Sequence, residues 1–345
     1  MSHLKIHPVP LIVQILHSMF KNPSPNDTHT QICDIEPLFY QAFAPYLQIK
    51  AVCVNITVNL AEEGAGKMAS KIKLIASDLD GTLLTSDKKI PPALADGISG
   101  LIKRGVIFVP ATGRPLGSIP KDVFDIKGIK YVISSNGAAV KNIQTGIEII
   151  RTCLNADIGL SIIENTRNKE IMAELFSEGI AYTEKRFIEC VDKYAVSAAH
   201  MEYVLSTRKP IDDSADFIRR NSCRIENINL IFKDKNLRAE FKNHLSARKD
   251  ISVTSSSPNN IEITSSSATK GRALKLLCEK LSVKPCEVMA FGDNGNDEDM
   301  LGFAGVGVAT ANGEEHIKKL TDYVTLSCDE GGVLHAVNKF MDMFI

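Results

Sequence analysis

One pattern of strand, acids and turn stands out in the sequence, Lys71-Ile72-Lys73-Leu74-Ile75-Ala76-Ser77-Asp78-Leu79-Asp80-Gly81-Thr82-Leu83-Leu84. It opens with an apolar, β-like run at 72–76, after which Asp78 and Asp80 follow two residues apart. Because successive side chains of a strand alternate between its faces, the two carboxylates would share a face if the strand continued. Two acids at one strand end repel each other and lose solvent together, which is costly without a cation. Hard cations such as Mg²⁺ suit carboxylate oxygens and also hold phosphates, so the stretch predicts an acidic, phosphate-handling site.

A simpler interpretation of this stretch is an acidic turn after a buried strand, since Asp and Gly are both common turn residues. The β-like run before the acids and the Thr82-Leu83-Leu84 that follows the glycine argue against it. In open α/β sheets ligands bind beyond the carboxyl ends of the strands, which is where these acids would lie. We therefore expect further site residues at the ends of neighbouring strands.

Composition and charge are those of an ordinary globular protein. The chain has 345 residues, of which 44% are hydrophobic and 23% charged, enough for a sizeable core and, from the length, for two domains. Lys and Arg number 40 against 41 Asp and Glu, a formal net charge of -1, so nothing argues for nucleic acid or an anionic membrane as partner. No apolar run reaches the roughly 18 residues that a membrane-spanning helix needs.

The eight cysteines are scattered along the chain, and none forms a Cys-x-x-Cys pair. A zinc site is therefore not indicated. Their scatter suits reduced thiols, many of them small core residues, and we expect a cytoplasmic protein.

Residues 1–68 show no clear pattern of elements. An apolar run from Val9 to Phe20 is broken by Asn22-Pro23-Ser24-Pro25, without the basic start and small-residue cleavage site of a secretory signal. We interpret 1–68 as an N-terminal extension that is disordered or artefactual. One hypothesis is that Met68 is the true start, and mass spectrometry of the native N-terminus tests it.

From residue 71 onward, strand patterns alternate with helical patterns. The predicted core strands are 72–76, 106–111, 131–135 and 288–291, and the predicted core helices are 91–104, 268–282 and 333–343. Strands that alternate with helices favour a parallel, doubly wound α/β sheet of Rossmann-like type. Asn136-Gly137, directly after the third strand, is a tight-turn signal.

The middle of the chain, 156–257, differs in that no acidic motif ends its strands. Its predicted helices are 157–168, 212–220 and 235–247, and its clearest strand is 225–232. We interpret 156–257 as an α/β cap domain inserted into a core formed by 69–155 and 258–345. The Ser- and Asn-rich segment 255–260 would be the return loop, and 261–264 would re-enter the core.

Polar signals recur in order after the core strands or at the start of a helix: Asp78 with Asp80, then Thr112, then Lys270, then Asp293 with Asn296 and Asp297. Each alone has a simpler interpretation. Thr112-Gly113 suits a turn, and Lys270 suits a solvated lysine. The segment 292–297 suits an Asx-rich loop or part of a calcium loop, although the acid at the twelfth position of an EF-hand loop is absent. Their joint occurrence in this order favours one common site.

This set resembles the four motifs of the haloacid dehalogenase (HAD) superfamily, and most closely its Cof-type subfamily with a C2 cap. The matching segments are Asp78-Leu79-Asp80-Gly81-Thr82-Leu83, Ala111-Thr112-Gly113-Arg114, Ser135-Asn136-Gly137-Ala138 and the segment from Gly292-Asp293 through Asn296-Asp297 to Met300. The resemblance covers about 71–345 and leaves out 1–68. One departure is Ser265-Ser266-Ser267 before Lys270, where the family often has Pro and Gly.

The resemblance implies a role for each matching residue. Asp78 would be the nucleophile that forms an aspartyl phosphate, and Asp80 the general acid and base. Thr112 would donate a hydrogen bond to a phosphoryl oxygen. Lys270 would supply positive charge for the nucleophile and the phosphoryl group.

The metal and the rest of the phosphate pocket are implied in the same way. Mg²⁺ would lie on Asp78, on the backbone carbonyl of Asp80 and on Asp293. Asn296 would contact the phosphoryl group or a metal-bound water, with Gly113 beside it in the phosphate pocket. Asp297 would orient Lys270 or the metal's water shell. Asn136 would be a further supporting residue.

The function that the resemblance implies is Mg²⁺-dependent hydrolysis of small phosphorylated metabolites, such as sugar phosphates or cofactors like FMN and pyridoxal phosphate. Two alternatives stay open: a phosphomutase on the same core, and a non-catalytic protein that binds phosphorylated metabolites. Dehalogenases of the superfamily lack the second acid, so Asp80 argues against that branch. The sequence gives neither the substrate nor the oligomeric state.

Overall fold

A computed structural model describes residues 71–194 and 197–344 of the chain. The interpretation of 1–68, including the hypothesis about Met68, lies outside the described residues. Within the described part, no helix is long and apolar enough to cross a membrane. Within that part, no disulfide bond involves the six cysteines Cys153, Cys190, Cys223, Cys278, Cys286 and Cys328.

Strands and helices alternate through most of the described chain. The strands are β1 (Leu74–Ser77), β2 (Ile107–Pro110), β3 (Tyr131–Ser134), β4 (Ala139–Asn142), β5 (Glu148–Arg151), β6 (Ile171–Ser177), β7 (Ile180–Glu184), β8 (Arg208–Ile211), β9 (Ile225–Phe232), β10 (Ile251–Thr254), β11 (Asn260–Ser265), β12 (Val288–Gly292), β13 (Val306–Ala309) and β14 (Tyr323–Val324). The α-helices are α1 (Pro92–Lys103), α2 (Lys121–Asp125), α3 (Ala156–Thr166), α4 (Lys185–Ile188), α5 (Ala198–Thr207), α6 (Ser214–Arg220), α7 (Lys235–Ser246), α8 (Lys270–Leu281), α9 (Glu298–Phe303), α10 (Glu315–Leu320) and α11 (Gly332–Lys339).

The central sheet has five parallel strands in the order β14-β13-β12-β1-β2. Alternate residues of β1 face opposite layers of the core. Ile75 packs in one apolar cluster with residues of α1 and α11, whereas Leu74 and Ala76 pack in another with residues of α8 and α9. Helices therefore cover both faces, and the predicted doubly wound parallel fold is confirmed.

A small antiparallel sheet, β3-β4-β5, adjoins the central one. A parallel bridge between Ala111 and Ile133 links the end of β2 to β3. The predicted tight turn lies between β3 and β4, where three successive residues, Ser135, Asn136 and Gly137, have positive φ values of 51°, 53° and 92°. Asn is among the few residues that adopt this region readily, whereas it is uncommon for Ser.

The third sheet has six strands in the order β10-β11-β9-β6-β7-β8. One of its faces carries an apolar cluster that includes Leu175, Ile228 and Ile218 of α6. Because strand side chains alternate, the buried polar residues Glu174 and Asn229 lie on the opposite face. That face borders the cleft described below.

The expectation that 261–264 re-enters the core is wrong. This segment is part of β11, which pairs antiparallel with β9 and with β10. Ile261 and Ile263 are fully buried in the apolar cluster of the six-stranded sheet. The Ser- and Asn-rich segment before β11 is thus a hairpin within that sheet, and the chain returns to the central layers only after Ser265, at α8. The division into core and cap domains stays a proposal.

Candidate active site

The site residues converge because β1 lies between β2 and β12 in a parallel arrangement. Asp78 follows β1, Thr112 follows β2 and Asp293 follows β12, so all three lie at the same edge of the sheet. They line a cleft of about 470 Å³, whose other walls come from the six-stranded sheet and α5. The position agrees with the general rule for ligand sites in open α/β sheets.

Lys270 lies at the centre of the acidic cluster, at the start of α8. Its side chain is fully buried, and its Nζ donates to Asp78 Oδ1 at 2.6 Å and to Asp297 Oδ1 at 2.7 Å. Burial alone would lower the pKa of Lys270, but the carboxylates of Asp297 and Asp78 raise it far above its usual range. The lysine is therefore held as a cation between two acids.

Asp78 is 5% exposed, and its backbone N–H donates to the carbonyl of Phe291 in β12. Burial raises the pKa of Asp78 well above its usual value, against the opposing effect of Lys270, and nearby acids add to the rise. An anionic Asp78 therefore depends on positive charge in its surroundings, which Lys270 supplies in part.

Asp293 faces Asp78 across the end of the sheet. Its Oδ1 accepts from Thr82 Oγ1 at 2.9 Å, and Oδ2 of Asp297 accepts its backbone N–H at 3.0 Å. Burial, and then the charge of Asp297, raises the pKa of Asp293 to about 7. Gly81 has φ +88°, and a Cβ there would come within 2.4 Å of Asp293 Oδ2, so this approach requires glycine.

The acids fit a hard divalent cation. Asp78, Asp293 and Asp297 each offer an oxygen, and these oxygens lie within 4.8 Å of one another. Mg²⁺ takes such oxygen ligands. Asp297 is already engaged, because Oδ1 accepts from Lys270 and Oδ2 accepts the backbone N–H groups of Asp293 and Asn294. Asp78 and Asp293 are therefore the better candidates for direct ligands, with Asp297 holding both of them in place.

Asp80 points into the same cleft but has different partners. Arg114 forms a bidentate pair with it, Nε to Oδ2 at 2.6 Å and the second guanidinium nitrogen to Oδ1 at 2.7 Å. Lys88 Nζ lies 2.8 Å from Oδ1. Although burial opposes the effect, Arg114 and Lys88 hold the pKa of Asp80 far below its usual range. In this arrangement Asp80 is an ionised acid.

Thr112 and Gly113 form part of one wall of the cleft. Thr112 is 1% exposed, and its hydroxyl oxygen accepts the backbone N–H of Arg114 at 3.1 Å, which directs the hydroxyl hydrogen elsewhere. At Gly113 a Cβ would lie 2.9 Å from Glu262 Oε2 and 3.1 Å from Asn136 Oδ1. The absence of a side chain there lets the β2 loop lie close to both residues.

Asn136 and Asn296 are neighbours. Asn296 Nδ2 donates to Asn136 Oδ1 at 3.1 Å, and Asn136 Nδ2 donates to Glu262 Oε2. The carbonyl oxygen Oδ1 of Asn296 is buried without a hydrogen-bond partner among the described residues. The structure thus brings together every residue predicted for the site, while their chemical roles stay proposals.

Several cleft residues were not predicted from the sequence. Arg114 was noted only as part of a matching segment, and Lys88 and Glu262 carried no signal. Tyr203 of α5 contacts two guanidinium groups, with that of Arg114 at 4.6 Å and that of Arg208 at 4.4 Å from its ring centroid. No local pattern in the sequence marks these side chains, because their contacts depend on how distant segments of the chain come together.

Comparison with known proteins gives the family. A profile of haloacid dehalogenase-like hydrolases matches residues 75–337. The chain belongs to this family. The resemblance inferred from the sequence motifs is thereby confirmed, and so is the prediction of an enzyme, a hydrolase of the HAD type.

Individual relatives of this HAD chain align over nearly their whole length. Phosphatase YwpJ of Bacillus subtilis (strain 168) is 31% identical over 290 residues, which cover 78% of this chain and 100% of that protein. The 5-amino-6-(5-phospho-D-ribitylamino)uracil phosphatase YwtE of the same organism is 27% identical over 301 residues, covering 78% and 98%. A solved haloacid dehalogenase-like hydrolase from B. subtilis superposes with a TM-score of 0.70 at 29% identity, covering 77% of this chain and 99% of that one.

Proposed function

We propose that the protein is a Mg²⁺-dependent phosphatase of small phosphorylated metabolites that works through an aspartyl phosphate on Asp78. The observation that carries this proposal is the buried contact of Lys270 with Asp78 at 2.6 Å, next to Asp293, where Asp78 and Asp293 line the cleft. It combines a carboxylate nucleophile, a fixed positive charge and a second acid on one edge of the sheet.

In the first half-reaction an Asp78 oxygen attacks phosphorus, and the bond from phosphorus to the ester oxygen breaks. The leaving oxygen takes a proton from Asp80, and Asp78 becomes the aspartyl phosphate. In the second half-reaction water attacks the same phosphorus while Asp80 accepts its proton, which releases phosphate and restores Asp78. Lys270 and the Thr112 hydroxyl stabilise the charge that develops on the phosphoryl oxygens.

Asp80 has to hold a proton for the first half-reaction, although Arg114 and Lys88 keep it ionised in the described arrangement. An anionic phosphoryl group in the cleft competes for both cations. Once they turn to the substrate, burial is left as the main influence on Asp80 and raises its pKa. Substrate binding thus prepares Asp80 to act as an acid.

Asp78 and Asp293 would hold the Mg²⁺ ion, together with the backbone carbonyl of Asp80 as the family resemblance implies. The ion supplies charge that lets an anionic nucleophile approach an anionic phosphate. The oxygen-only donor set supports this choice of metal. Asp297 fixes the Lys270 ammonium and the backbone around Asp293, so that neither needs to reorganise during the reaction.

The substrate class rests on the cleft and on the relatives. A cleft of about 470 Å³ suits a small molecule. YwpJ is named a phosphatase, and YwtE is named for a phosphorylated ribitylamino-uracil. A sugar phosphate or a cofactor-related phosphate is therefore the proposed substrate, and the six-stranded sheet the proposed cap that recognises its remainder. Relatives named phosphatases favour hydrolysis over the phosphomutase alternative.

The test is release of inorganic phosphate from p-nitrophenyl phosphate and from a panel of phosphorylated metabolites, with Mg²⁺ and with EDTA. We expect turnover that EDTA abolishes and added Mg²⁺ restores. No turnover of any panel member would contradict the phosphatase proposal. Isomerised sugar phosphate without phosphate release would indicate the mutase instead.

A further inference from the structure

A chain of side-chain hydrogen bonds runs from the six-stranded sheet into the phosphate pocket. It begins at Asn260, continues through Glu262 and Asn136, and ends at Asn296. Glu262 lies on β11 and is 5% exposed, and Asn136 and Asn296 are 3% and 7% exposed. The links are direct contacts between side chains, so the donor and acceptor sense of each one constrains the next.

At the Asn260 end of this series of hydrogen bonds, backbone N–H groups determine which side-chain atom donates and which accepts. Asn260 Oδ1 accepts the backbone N–H groups of Ser256 and Ser257 at 3.1 and 3.0 Å. Since a backbone N–H can only donate, Asn260 has to present its Nδ2 to Glu262 Oε1, at 3.1 Å. The Ser256 hydroxyl also donates to Oε1.

The same sense passes through the carboxylate of Glu262. A carboxylate only accepts, so Asn136 presents Nδ2 to Glu262 Oε2 and turns Oδ1 towards Asn296. Asn296 then donates its Nδ2 to Asn136 at 3.1 Å. With Nδ2 used in this way, the carbonyl oxygen of Asn296 is buried and has no hydrogen-bond partner among the described residues. Asn296 lines the cleft beside Asp293.

We propose that Glu262 is a positioning residue which, through Asn136, turns Asn296 so that its carbonyl oxygen accepts a hydrogen bond from water bound to the cation at Asp78 and Asp293. This inference rests on the proposed function. A carbonyl oxygen suits a cation-bound water, whereas a phosphoryl oxygen needs a donor. Of the two roles that the sequence left open for Asn296, the hydrogen-bond chain favours the contact with metal-bound water.

Glu262→Gln tests the proposal because it exchanges the donor and acceptor of each hydrogen bond between residue 262 and Asn296 without breaking any of them. Asn260 and Ser256 still donate, so the substituted amide presents its oxygen to them and its nitrogen to Asn136. The side-chain amides of Asn136 and Asn296 then both rotate by about 180°. Asn296 now presents Nδ2, in place of its carbonyl oxygen, to the water bound to the cation. We expect Mg²⁺ to bind about tenfold more weakly, because an acceptor becomes a donor, while the melting temperature changes little because each hydrogen bond is kept.

Glu226→Gln is the matched control. Glu226 lies on β9, is 1% exposed, and accepts from the Ser135 hydroxyl at 2.7 Å and from the Gly179 N–H at 3.0 Å. Ser135 is the residue next to Asn136, but a hydroxyl both donates and accepts, so a reversal at position 226 ends there. We expect this variant to bind Mg²⁺ within about twofold of the wild type, since no link to Asn296 is reversed.

The measurement is calorimetric titration of Mg²⁺ into the full chain at pH 8 without substrate, for the wild type and both variants. Weaker Mg²⁺ binding in Glu262→Gln alone supports the proposed relay, that is, the hydrogen bonds from Glu262 through Asn136 to Asn296. Unchanged binding in Glu262→Gln, or equal weakening in both variants, overturns it. If Glu262→Gln does not fold by circular dichroism, Asn136→Gly removes the middle link at a positive φ that glycine tolerates, and unchanged Mg²⁺ binding there overturns the relay as well.

Turnover of p-nitrophenyl phosphate, measured on the same samples, separates this inference from the proposed function. A wild type that binds Mg²⁺ without turnover overturns the phosphatase proposal, while weakening in Glu262→Gln would still support the relay. A wild type that is active, with Glu262→Gln needing no more Mg²⁺ for half-maximal rate, overturns the relay and leaves the function intact.

Discussion

At the scale of single residues, the acidic cluster is short of positive charge. Asp78, Asp293 and Asp297 lie close together, and Lys270 is the cation that contacts two of them. Burial raises the pKa of Asp78 and of Asp293, which means that the folded protein holds both anions at a cost. A divalent cation would remove that cost, so the same feature suits the cluster to a divalent cation.

Asp78→Asn tests the nucleophile. The amide keeps the shape and an acceptor for Lys270 but cannot attack phosphorus, so we expect turnover to fall by roughly a thousandfold or more. Because the variant also removes a buried anion, its melting temperature should stay within a few degrees of the wild type or rise. Asp87→Asn, an exposed acid lining the same cleft, is the control and should retain activity. Turnover of Asp78→Asn within tenfold of the wild type would refute the assignment.

Mg²⁺ affinity should depend on pH through Asp293. Its pKa is raised to about 7 in the metal-free protein, so below that pH the cation has to displace a proton. We expect binding to weaken about tenfold between pH 8 and pH 6. The folded chain also holds more protons than the unfolded chain between pH 4 and 7, so this group lowers metal-free stability as pH rises through that window. Calorimetric titration of Mg²⁺ from pH 6 to 8 measures the change in affinity, and an affinity that does not depend on pH contradicts the prediction.

The sequence identified the residues to which the proposed chemistry is assigned and missed the residues that hold them. Asp78, Lys270 and Asp293 could be predicted because each stands in a motif directly after a strand or at the start of a helix. The bidentate pair of Asp80 with Arg114 could not, since two residues 34 positions apart give no signal of contact. Glu262 was hidden in an alternating strand pattern that looked purely structural.

At the scale of elements, the turn between β3 and β4 packs tightly against the start of α8. Gly137 has φ +92°, and a Cβ built there would lie 2.2 Å from the backbone carbonyl oxygen of Thr269 and 3.0 Å from the backbone nitrogen of Lys270. Thr269 caps α8 by accepting the N–H of Arg272. The tight contact with the turn therefore helps to place the helix that carries Lys270.

Gly137→Ala compared with Gly146→Ala separates backbone strain from this contact. Both glycines have positive φ, but a Cβ at Gly146 would meet nothing within 4 Å. Gly146→Ala should cost about 1 kcal/mol of unfolding free energy from strain alone. Gly137→Ala should cost about 2–4 kcal/mol, because the clash adds to the strain, and turnover should fall as Lys270 shifts. Urea unfolding measures both, and equal losses would argue against the contact.

Element types were easier to predict than their sheet. The strand predicted at 225–232 has those bounds in the structure, and α7 and α8 lie within a residue or two of their predicted spans. β11 was assigned to the wrong sheet because alternation of Ile261 and Ile263 with polar residues fits any half-buried strand. Its pairing with β9 and β10 distinguishes the two sheets. β9 lies well before it in the chain, so that pairing leaves no local signal, and the hairpin loop after β10 reads equally well as a return to the core.

At the scale of the whole molecule, the cleft is lined from two different parts of the chain. The acids, Thr112 and Lys270 lie on the central sheet and its helices, whereas Tyr203, Arg208 and Asn229 line the cleft from the six-stranded sheet and its helix α5. If this sheet is a cap, it closes the site during the reaction and contacts the part of the substrate beyond the phosphate. The structure moves the end of that segment from residue 257 to about 265.

Removal of the proposed cap tests this division. A short Gly/Ser linker from Asn155 to Ser266 would delete α3 through β11 and leave all the residues of the predicted site on the remaining chain. Remote contacts lower the barrier for a true substrate, while p-nitrophenyl phosphate uses few of them. The preferred metabolite should therefore lose far more kcat/KM than p-nitrophenyl phosphate does.

The informative quantity in this deletion is the ratio of the two kcat/KM values before and after removal, on protein shown to be folded by circular dichroism. Loss of Glu262 should also weaken Mg²⁺ binding, but that loss is common to both substrates and cancels in the ratio at saturating Mg²⁺. Glu262→Gln in the full chain is the matched comparison, since it weakens Mg²⁺ binding but keeps the rest of the six-stranded sheet, and it should leave the ratio nearly unchanged. A deletion that also leaves the ratio unchanged would place specificity in the central layers, and the six-stranded sheet would then support the site without selecting its substrate.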